Sequence, residues 1–201
     1  MIAVLDYGIG NLRSAEKALQ RVGGDARLVD DPDAAAGADG IVLPGVGAFG
    51  RCAAALRATG LDTVAADAVA RGIPFLGICV GFQLLYDGSE EDPAARGLGI
   101  LPGTVRRLPE GVKHPQMQWN ILEVGSSALL AGVPDPAWVY FVHSYAPERT
   151  AETTSTCDYG GPVVATAERG RVWGTQFHPE KSGAVGLGIL ANFVATVVQG
   201  A

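Results

Sequence analysis

The chain has 201 residues, of which 48% are hydrophobic and 18% charged, and its formal net charge is −6. These values predict one folded domain with a full hydrophobic core and exclude an intrinsically disordered chain. The acidic balance argues against a nucleic-acid-binding protein, which usually has a basic surface. No apolar run approaches the roughly 20 residues that a membrane-spanning helix needs.

The three cysteines, Cys52, Cys79 and Cys157, form no CxxC pair. This low and odd number indicates a reducing compartment and gives no sign of a disulfide framework or a zinc site. The N-terminal residues lack a basic region and resemble a strand, so no signal peptide is expected. The sequence therefore predicts a cytoplasmic protein whose residues 1–201 form a single domain.

In chain order, the first half alternates short apolar runs with amphipathic segments. Residues 2–5 form a continuous apolar run that predicts a strand buried on both faces, and residues 26–29 and 40–43 predict two more strands. A helix is predicted from Asn11, a plausible N-cap, to Gly23-Gly24, and two more over about 51–58 and 61–71. This order predicts a doubly wound α/β sheet, in which ligands bind beyond the carboxyl ends of the strands.

The next stretch, residues 73–85, predicts a strand that turns sharply into a helix. Gly77 and Gly81 flank Cys79 at a distance of two residues on each side. A nucleophile elbow has this pattern because a side chain at either flanking position would clash with the turned backbone. The free N–H groups of the following helix would favour a thiolate at the apex. Although an isolated cysteine is more often a small buried hydrophobic residue, this setting predicts that Cys79 is a nucleophile.

The second half of the chain predicts strands separated by turns, followed by one closing helix. The strand-like segments are residues 105–108, 121–124, 138–142, 163–167 and 172–177, and the amphipathic helix spans 183–198. Strands that follow one another without helices indicate antiparallel additions to the sheet. The predicted fold class is therefore α/β, with a mostly parallel sheet that antiparallel strands extend.

A cysteine nucleophile needs a base, and the chain has three histidines. His178 follows a strand-like segment, Pro179 keeps it extended, and Glu180 could orient its imidazole ring. His143 also ends an apolar run and is the alternative base, although a structural or partner-facing role is favoured for it. His114 lies in a polar connection and is expected to be exposed. The sequence thus predicts His178 as the base and Glu180 as the orienting carboxylate.

Acyl transfer also needs N–H donors that stabilise an oxyanion. The elbow offers the N–H group of Val80, the residue after the nucleophile. The glycine-rich segment Pro44-Gly45-Val46-Gly47 could offer a second donor, since glycine allows a close approach of the backbone. A phosphate loop is the alternative for this segment, but no Gly-Lys-Ser/Thr follows it.

These motifs resemble those of the class I (triad) glutamine amidotransferases. The likeness rests on the elbow with Gln83 and on Phe177-His178-Pro179-Glu180. Further segments resemble the branch of that family that serves histidine biosynthesis, namely residues 6–14, 43–50, 117–120, 140–145 and 174–182. The matches keep their order over essentially the whole chain. They imply a three-layer, flavodoxin-like fold without a cofactor or a metal.

The resemblance implies that Cys79 attacks the side-chain amide of glutamine with help from His178, while Glu180 orients the histidine. A glutamyl thioester forms, ammonia leaves, and water releases glutamate. The implied substrate and oxyanion residues are Gly45, Val46, Gly47, Val80, Gln83, Ser144 and Tyr145. The ammonia is expected to pass to a separate cyclase subunit with a (βα)8 barrel. The implied interface residues are Asn11, Met117, Trp119, Asn120 and Lys181.

The sequence departs from the family pattern at four positions. Val80 and Phe82 stand where leucine and methionine are common, and Gln116 and Gln118 replace histidine and glycine before Trp119. The first two are apolar exchanges, whereas the glutamines could alter the partner-facing loop.

Two other classes of function stay open. A binding or regulatory module could use the same fold, but the intact Cys79, His178 and Glu180 argue against it. A hydrolase that releases free ammonia, or a peptidase, could use the same elbow without a partner. Because an uncoupled glutaminase would waste glutamine, we also expect that the segment 44–47 is not fully arranged for catalysis in the free chain.

Overall fold

The structure, a computed structural model, describes residues 1–200. Its helices are α1 (Leu12–Arg21), α2 (Pro32–Ala36), α3 (Phe49–Ala58), α4 (Leu61–Ala70), α5 (Val80–Gln83) and α6 (Gly183–Gln199). Short 3-10 turns lie at Ala128–Leu130 and Pro179–Lys181. Among these residues, no helix is long and apolar enough to cross a bilayer.

The strands alternate with the helices in the first half of the chain and dominate the second half. They are β1 (Ile2–Leu5), β2 (Ala26–Val29), β3 (Gly40–Gly45), β4 (Phe75–Cys79), β5 (Gly88–Ser89), β6 (Asp92–Arg96) and β7 (Thr104–Arg107), then β8 (Gln116–Val124), β9 (Ala137–His143), β10 (Tyr145–Pro147), β11 (Thr153–Asp158), β12 (Pro162–Arg169) and β13 (Val172–Thr175).

Within residues 1–200, nine strands form one sheet in the order β2-β1-β3-β4-β13-β12-β11-β8-β9. The five strands from β2 to β13 run parallel, and the other four continue the sheet in antiparallel pairs. A second sheet joins the short strands β10-β7-β5-β6. The predicted fold class, a mostly parallel sheet with antiparallel additions, is confirmed.

The core lies on both faces of the parallel strands. Every residue of β1, β3 and β4 is buried, and because successive side chains of a strand point to opposite faces, both faces must be covered. Helix α1 packs beside α6, whereas α2 and α3 pack on α4. The apolar runs of the first half are thus explained by burial between layers of helices.

Two expectations about the elements need correction. The segment 172–177 is predicted as an antiparallel addition, but β13 lies between β4 and β12 and runs parallel to β4. The helix predicted after the elbow has only a single turn, Val80–Gln83, and the chain continues in turns from Leu84. The insertion of β13 determines the geometry of the candidate site.

The sequence also misses several short elements. These are α2, β5, β6, β10 and β11. Most have five residues or fewer, so they carry too little periodicity to be recognised. Asn11 does precede α1 as expected, but its side chain makes no capping hydrogen bond.

Candidate active site

Cys79 lies at the end of β4 in a strained backbone conformation. Its φ is 55° and its ψ is −113°, and no other residue besides glycine has a positive φ within residues 1–200. Such a conformation costs free energy for a residue with a side chain, and it is characteristic of functional sites. The sharp turn from β4 into α5 has the geometry of the predicted nucleophile elbow.

The glycines around Cys79 are explained by contacts of the turned backbone. A Cβ atom on Gly81 would lie 1.8 Å from the carbonyl oxygen of Leu43, and one on Gly77 would lie 2.8 Å from the carbonyl oxygen of Gly81. On the neighbouring strand, a Cβ on Gly174 would lie 1.7 Å from the ring of Phe82. Gly77 and Gly81 exclude side chains because backbone atoms of the elbow and of β3 occupy the space, whereas Gly174 excludes one because the ring of Phe82 fills it.

His178 reaches the elbow because β13 pairs with β4. Thr175 is the register partner of Ile78, so the chain beyond Thr175 emerges at the same edge as Cys79. The N–H group of His178 donates to the carbonyl of Tyr140 at 3.0 Å, and Ser182 Oγ donates to the carbonyl of His178 at 2.6 Å. These backbone contacts fix the histidine beside the cysteine.

His178 and Glu180 form a buried pair. The Nδ1 atom of His178 lies 2.8 Å from Glu180 Oε1, and each side chain is 2% exposed. Burial is the largest single influence on the pKa of His178 and lowers it, but Cys79 and Glu180 together outweigh burial and raise this pKa to about 10. The Nε2 atom is buried and has no hydrogen-bond partner among the described residues, so it is available for proton transfer.

Two further side chains reach this group of residues. Asn11 Nδ2 lies 3.4 Å from Glu180 Oε1 and can donate to it, which explains why this side chain does not cap α1. Gln176 Nε2 lies 3.8 Å from the sulfur of Cys79, where a donor would stabilise a thiolate. Neither contact is predicted from the sequence.

A cavity of about 290 Å³ opens beside Cys79. Its walls include the three predicted polar substrate residues Gln83, Ser144 and Tyr145. The other lining residues are Val46, Gly47, Cys79, Val80, Glu91, Pro115, Val142, His143 and His178. Gly45 is not among the lining residues, but it is the register partner of Cys79 on the next strand. The predicted nucleophile, the predicted base and six of the seven predicted substrate and oxyanion residues therefore border one cavity.

Glu91 is the residue that the sequence analysis misses. It is the only acidic side chain among the residues that line the cavity, and its Oε2 accepts a hydrogen bond from the N–H group of Phe49 at 2.7 Å. Its neighbours Glu90 and Asp92 are also acidic, so nothing in the sequence distinguishes it. Only its position in the folded chain identifies it.

His143, the alternative base, has a structural position. Its Nδ1 atom lies 2.8 Å from the carbonyl oxygen of Tyr145, which can only accept, so Nδ1 carries the proton. The Nε2 atom lies 3.0 Å from Oε1 of Gln116; because the neutral ring has its proton on Nδ1, Nε2 accepts a hydrogen bond there when the Gln116 amide presents its nitrogen instead. Burial lowers the pKa of His143 to about 4. Because both ring nitrogens already have partners, His143 is less suited than His178 to act as a base.

The carbonyl oxygen of Tyr145 also accepts from Gln83 Nε2 at 2.9 Å. The same amide nitrogen donates to Gln176 Oε1 at 3.1 Å, so both hydrogens of Gln83 are used within the protein. The oxygen of Gln83 is therefore the atom it can offer to a bound molecule.

His114, expected to be exposed, is instead half-buried, and its Nε2 lies 3.1 Å from the carbonyl oxygen of Pro109.

The predicted interface residues lie on two parts of the surface. Met117 and Trp119 are exposed on β8, whereas Asn120 is engaged with the carbonyl of Asp158 at 2.9 Å. Lys181 is exposed at the 3-10 turn that follows His178, and Asn11 is part of the site itself.

Comparison with known proteins gives a consistent result. The family model for class-I glutamine amidotransferases matches residues 3–197. The chain is 48% identical to imidazole glycerol phosphate synthase subunit HisH of Symbiobacterium thermophilum, over 96% of this chain and 92% of that one. It is 46% identical to the subunit of the same name from Methanothermobacter thermautotrophicus, over 98% and 99%. A crystal structure of a glutamine amidotransferase shares the fold with a TM-score of 0.78, at 22% identity and over 98% of each chain.

Proposed function

Because the chain belongs to the class-I glutamine amidotransferases, we propose that it is the glutaminase subunit of an imidazole glycerol phosphate synthase. It hydrolyses glutamine to glutamate and ammonia, and the ammonia passes to a cyclase subunit. That subunit forms imidazole glycerol phosphate and an aminoimidazole carboxamide ribotide in histidine biosynthesis. The observation that carries the proposal is the strained Cys79 beside the buried His178–Glu180 pair.

In the proposed reaction, the sulfur of Cys79 attacks the carboxamide carbon of glutamine. Because the pKa of His178 is raised to about 10, its Nε2 carries a proton near neutral pH. It gives this proton to the leaving nitrogen, so that ammonia departs and a thioester forms. Water, activated by the same nitrogen, then attacks the thioester and releases glutamate. Glu180 supports both steps because it holds the proton on Nδ1 and stabilises the charged imidazole.

The negative charge that develops on the amide oxygen needs N–H donors. Val80 is the residue after the nucleophile and borders the cavity, so its N–H group is the first candidate. Val46 and Gly47 follow β3 and border the same cavity. We propose that they supply the second donor, and that Gly45 at the end of β3 supports their backbone.

Glu91 suits the α-ammonium group of glutamine. One of its oxygens is tied to the N–H group of Phe49, which leaves the other to pair with a cation in the cavity. Gln83, Ser144 and Tyr145 surround the same space, and we propose that they bind the amino acid end of the substrate.

An apolar surface supports the proposal of a partner. Met117, Trp119 and Ile121 alternate along β8 and are 60%, 47% and 37% exposed. They are the register partners of Val142, Tyr140 and Trp138 on β9. This outer face of the β8–β9 ribbon is unusual for a free surface and typical of an interface.

The ribbon is also connected to the site. Tyr140 takes part in the apolar face with its side chain and accepts the N–H group of His178 with its backbone carbonyl. Val142 belongs to the face and borders the cavity. We propose that a (βα)8-barrel cyclase docks here, near Asn11, Asn120 and Lys181, and so covers the exit through which ammonia leaves.

We further propose that residues 1–201 act as one glutaminase domain in the cytoplasm. The three cysteines are buried and unpaired, as is expected where thiols are kept reduced.

The decisive experiment compares Cys79→Ala with Cys157→Ala, a control at another buried thiol. Each variant is combined with the cyclase, and product formation from glutamine and from free ammonium is measured. We expect Cys79→Ala to abolish only the glutamine-dependent reaction, while Cys157→Ala retains both. Unchanged glutamine-dependent activity in Cys79→Ala would refute the proposal. Rapid hydrolysis by the wild-type chain alone would favour a hydrolase that needs no partner.

A further inference from the structure

Two buried side chains donate hydrogen bonds to the segment Pro44–Gly47, which comprises the end of β3 and the two residues after it. The hydroxyl of Tyr7 donates to the carbonyl of Pro44 at 2.7 Å, and the thiol of Cys52 donates to the carbonyl of Val46 at 3.2 Å. Tyr7 lies in the turn after β1, whereas Cys52 lies on α3. Two separate elements thus hold alternate carbonyls of one short segment.

Both donors are enclosed by the protein. Tyr7 is 3% exposed and Cys52 is fully buried. Burial is the main cause that raises the pKa of the Tyr7 hydroxyl and also that of the Cys52 thiol, so both groups keep their protons near neutral pH. Since a buried carbonyl without a donor is costly, each bond stabilises one orientation of the peptide that it holds.

Gly45 is enclosed between Tyr7 and the elbow. A Cβ atom at Gly45 would lie 2.8 Å from the Tyr7 hydroxyl oxygen, 2.7 Å from the backbone nitrogen of Gly81 and 3.0 Å from Cβ of Val80. The segment is therefore packed against the turn that carries Cys79. A change in its position would be transmitted directly to the space above the nucleophile.

The two hydrogen-bonded carbonyls also set the directions of the N–H groups that follow them. In a trans peptide, the C=O and N–H bonds point in opposite directions. The bond to Cys52 therefore directs the N–H group of Gly47 away from α3, and the bond to Tyr7 directs the N–H group of Gly45 away from the Tyr7 hydroxyl. Gly47 borders the cavity, so the direction of its peptide matters for any oxyanion formed there.

We propose that Tyr7 and Cys52 are positioning residues that hold the peptide groups of Pro44 and Val46, so that in the assembled enzyme the segment Pro44–Gly47 can stabilise the oxyanion. This inference rests on the proposed glutaminase function and adds two residues that do not border the cavity. Neither side chain touches the substrate; both act through the backbone of the segment.

The test uses the complete enzyme with its cyclase. Tyr7→Phe and Cys52→Ala remove the donors, Cys52→Ser keeps one, and Tyr86→Phe is the control because its buried hydroxyl has no partner among the described residues. We expect kcat for glutamine hydrolysis to fall about 10-fold in Tyr7→Phe and in Cys52→Ala, with little change in KM. Cys52→Ser and Tyr86→Phe should stay within about 2-fold of wild type.

Two additional measurements separate positioning from general damage. Alkylation of Cys79 by iodoacetamide forms no oxyanion, so its rate should not change in any of the variants. Amide hydrogen exchange of residues 45–48 should become faster in Tyr7→Phe and Cys52→Ala. The proposal is overturned if kcat is unchanged, if alkylation slows together with kcat, or if exchange is unchanged.

Failure of the proposed function would look different. It would appear as a wild-type complex without Cys79-dependent glutamine hydrolysis. Amide hydrogen exchange would still show whether Tyr7 and Cys52 hold the segment. Faster exchange in both variants would support this role of the two hydrogen bonds, and unchanged exchange would overturn it.

Discussion

The Nδ1 atom of His178 lies 2.8 Å from Oε1 of Glu180, and both side chains are almost completely enclosed. This contact keeps one ring proton on Nδ1, so that Nε2, which has no hydrogen-bond partner among the described residues, is the nitrogen that exchanges protons. Although burial lowers the pKa of His178, Cys79 and this contact together raise it to about 10. The pair therefore affects both the reaction and the pH dependence of stability.

Glu180→Gln should reduce kcat by about 10²- to 10⁴-fold, since the introduced amide can donate to Nδ1 and move the proton to the wrong nitrogen. A histidine whose pKa is about 10 when folded and about 6.5 when unfolded stabilises the fold fully below pH 6.5 and loses this contribution as the pH rises to 10. The stability advantage of wild type over Glu180→Gln should shrink across that window in urea unfolding. Glu110→Gln, at an exposed site, is the control, and an advantage independent of pH would contradict the expectation.

His143 should make the free energy of unfolding depend on pH in the opposite direction to His178, with the loss of stability at low pH. Its folded pKa is about 4, so between pH 6.5 and 4 the unfolded chain takes up a proton that the folded chain does not, and stability falls as the pH falls. The loss at pH 4 is about 3 kcal/mol if the shift is fully expressed. His143→Gln should flatten this part of the stability curve, measured by urea unfolding, and a curve as steep as that of wild type would contradict this expectation.

Gly81→Ala should destabilise the protein by about 3 kcal/mol or more, because the new methyl group would overlap a backbone carbonyl that cannot move aside. Gly188→Ala is a sensitive control. Gly188 is exposed within α6 and has no atom within 4 Å of its Cβ position, so alanine should stabilise the helix by about 0.5–1 kcal/mol. Thermal and urea unfolding should show a loss of stability for Gly81→Ala and a gain for Gly188→Ala. Equal changes in stability would contradict the close packing at the elbow.

Glu91→Gln should raise KM for glutamine by about 10- to 100-fold with little change in kcat, since an ion pair to the α-ammonium group acts equally in the ground and transition states. Glu90→Gln is the matched control, because Glu90 is paired with Arg106 at 2.8 Å on the surface. Steady-state kinetics of the complete enzyme would decide. An unchanged KM would remove Glu91 from the proposed binding site.

Trp119→Ala should weaken the association with the cyclase by about 2 kcal/mol, or about 30-fold in Kd, because exposed tryptophans at interface centres carry much of the binding energy. Its ring lies 6.1 Å from that of Tyr140 within the apolar face. Val198→Ala is the control, since Val198 is 69% exposed but lies on α6. Titration of each variant with the cyclase would measure its Kd. An unchanged Kd would place the docking surface elsewhere.

Much of the fold could be predicted because its signals are local. The strands β1, β3 and β4 are continuous apolar runs, and the elbow needs glycine at fixed distances from Cys79 whatever the rest of the chain does. The alternation of strands and helices in the first half follows from the same patterns. These features depend on residues that are neighbours in sequence.

The site depends on contacts between distant residues. The sequence alone identifies Cys79 and His178 as candidates, but the insertion of β13 beside β4 brings them to one edge, and sheet register across a long connection has no local signal. The same reason applies to Glu91, to the contact of Asn11 with Glu180, and to the donors Tyr7 and Cys52. Composition and spacing determined which chemical groups the chain carries; the tertiary structure decided which of them meet, because strand order and packing are properties of the whole sheet.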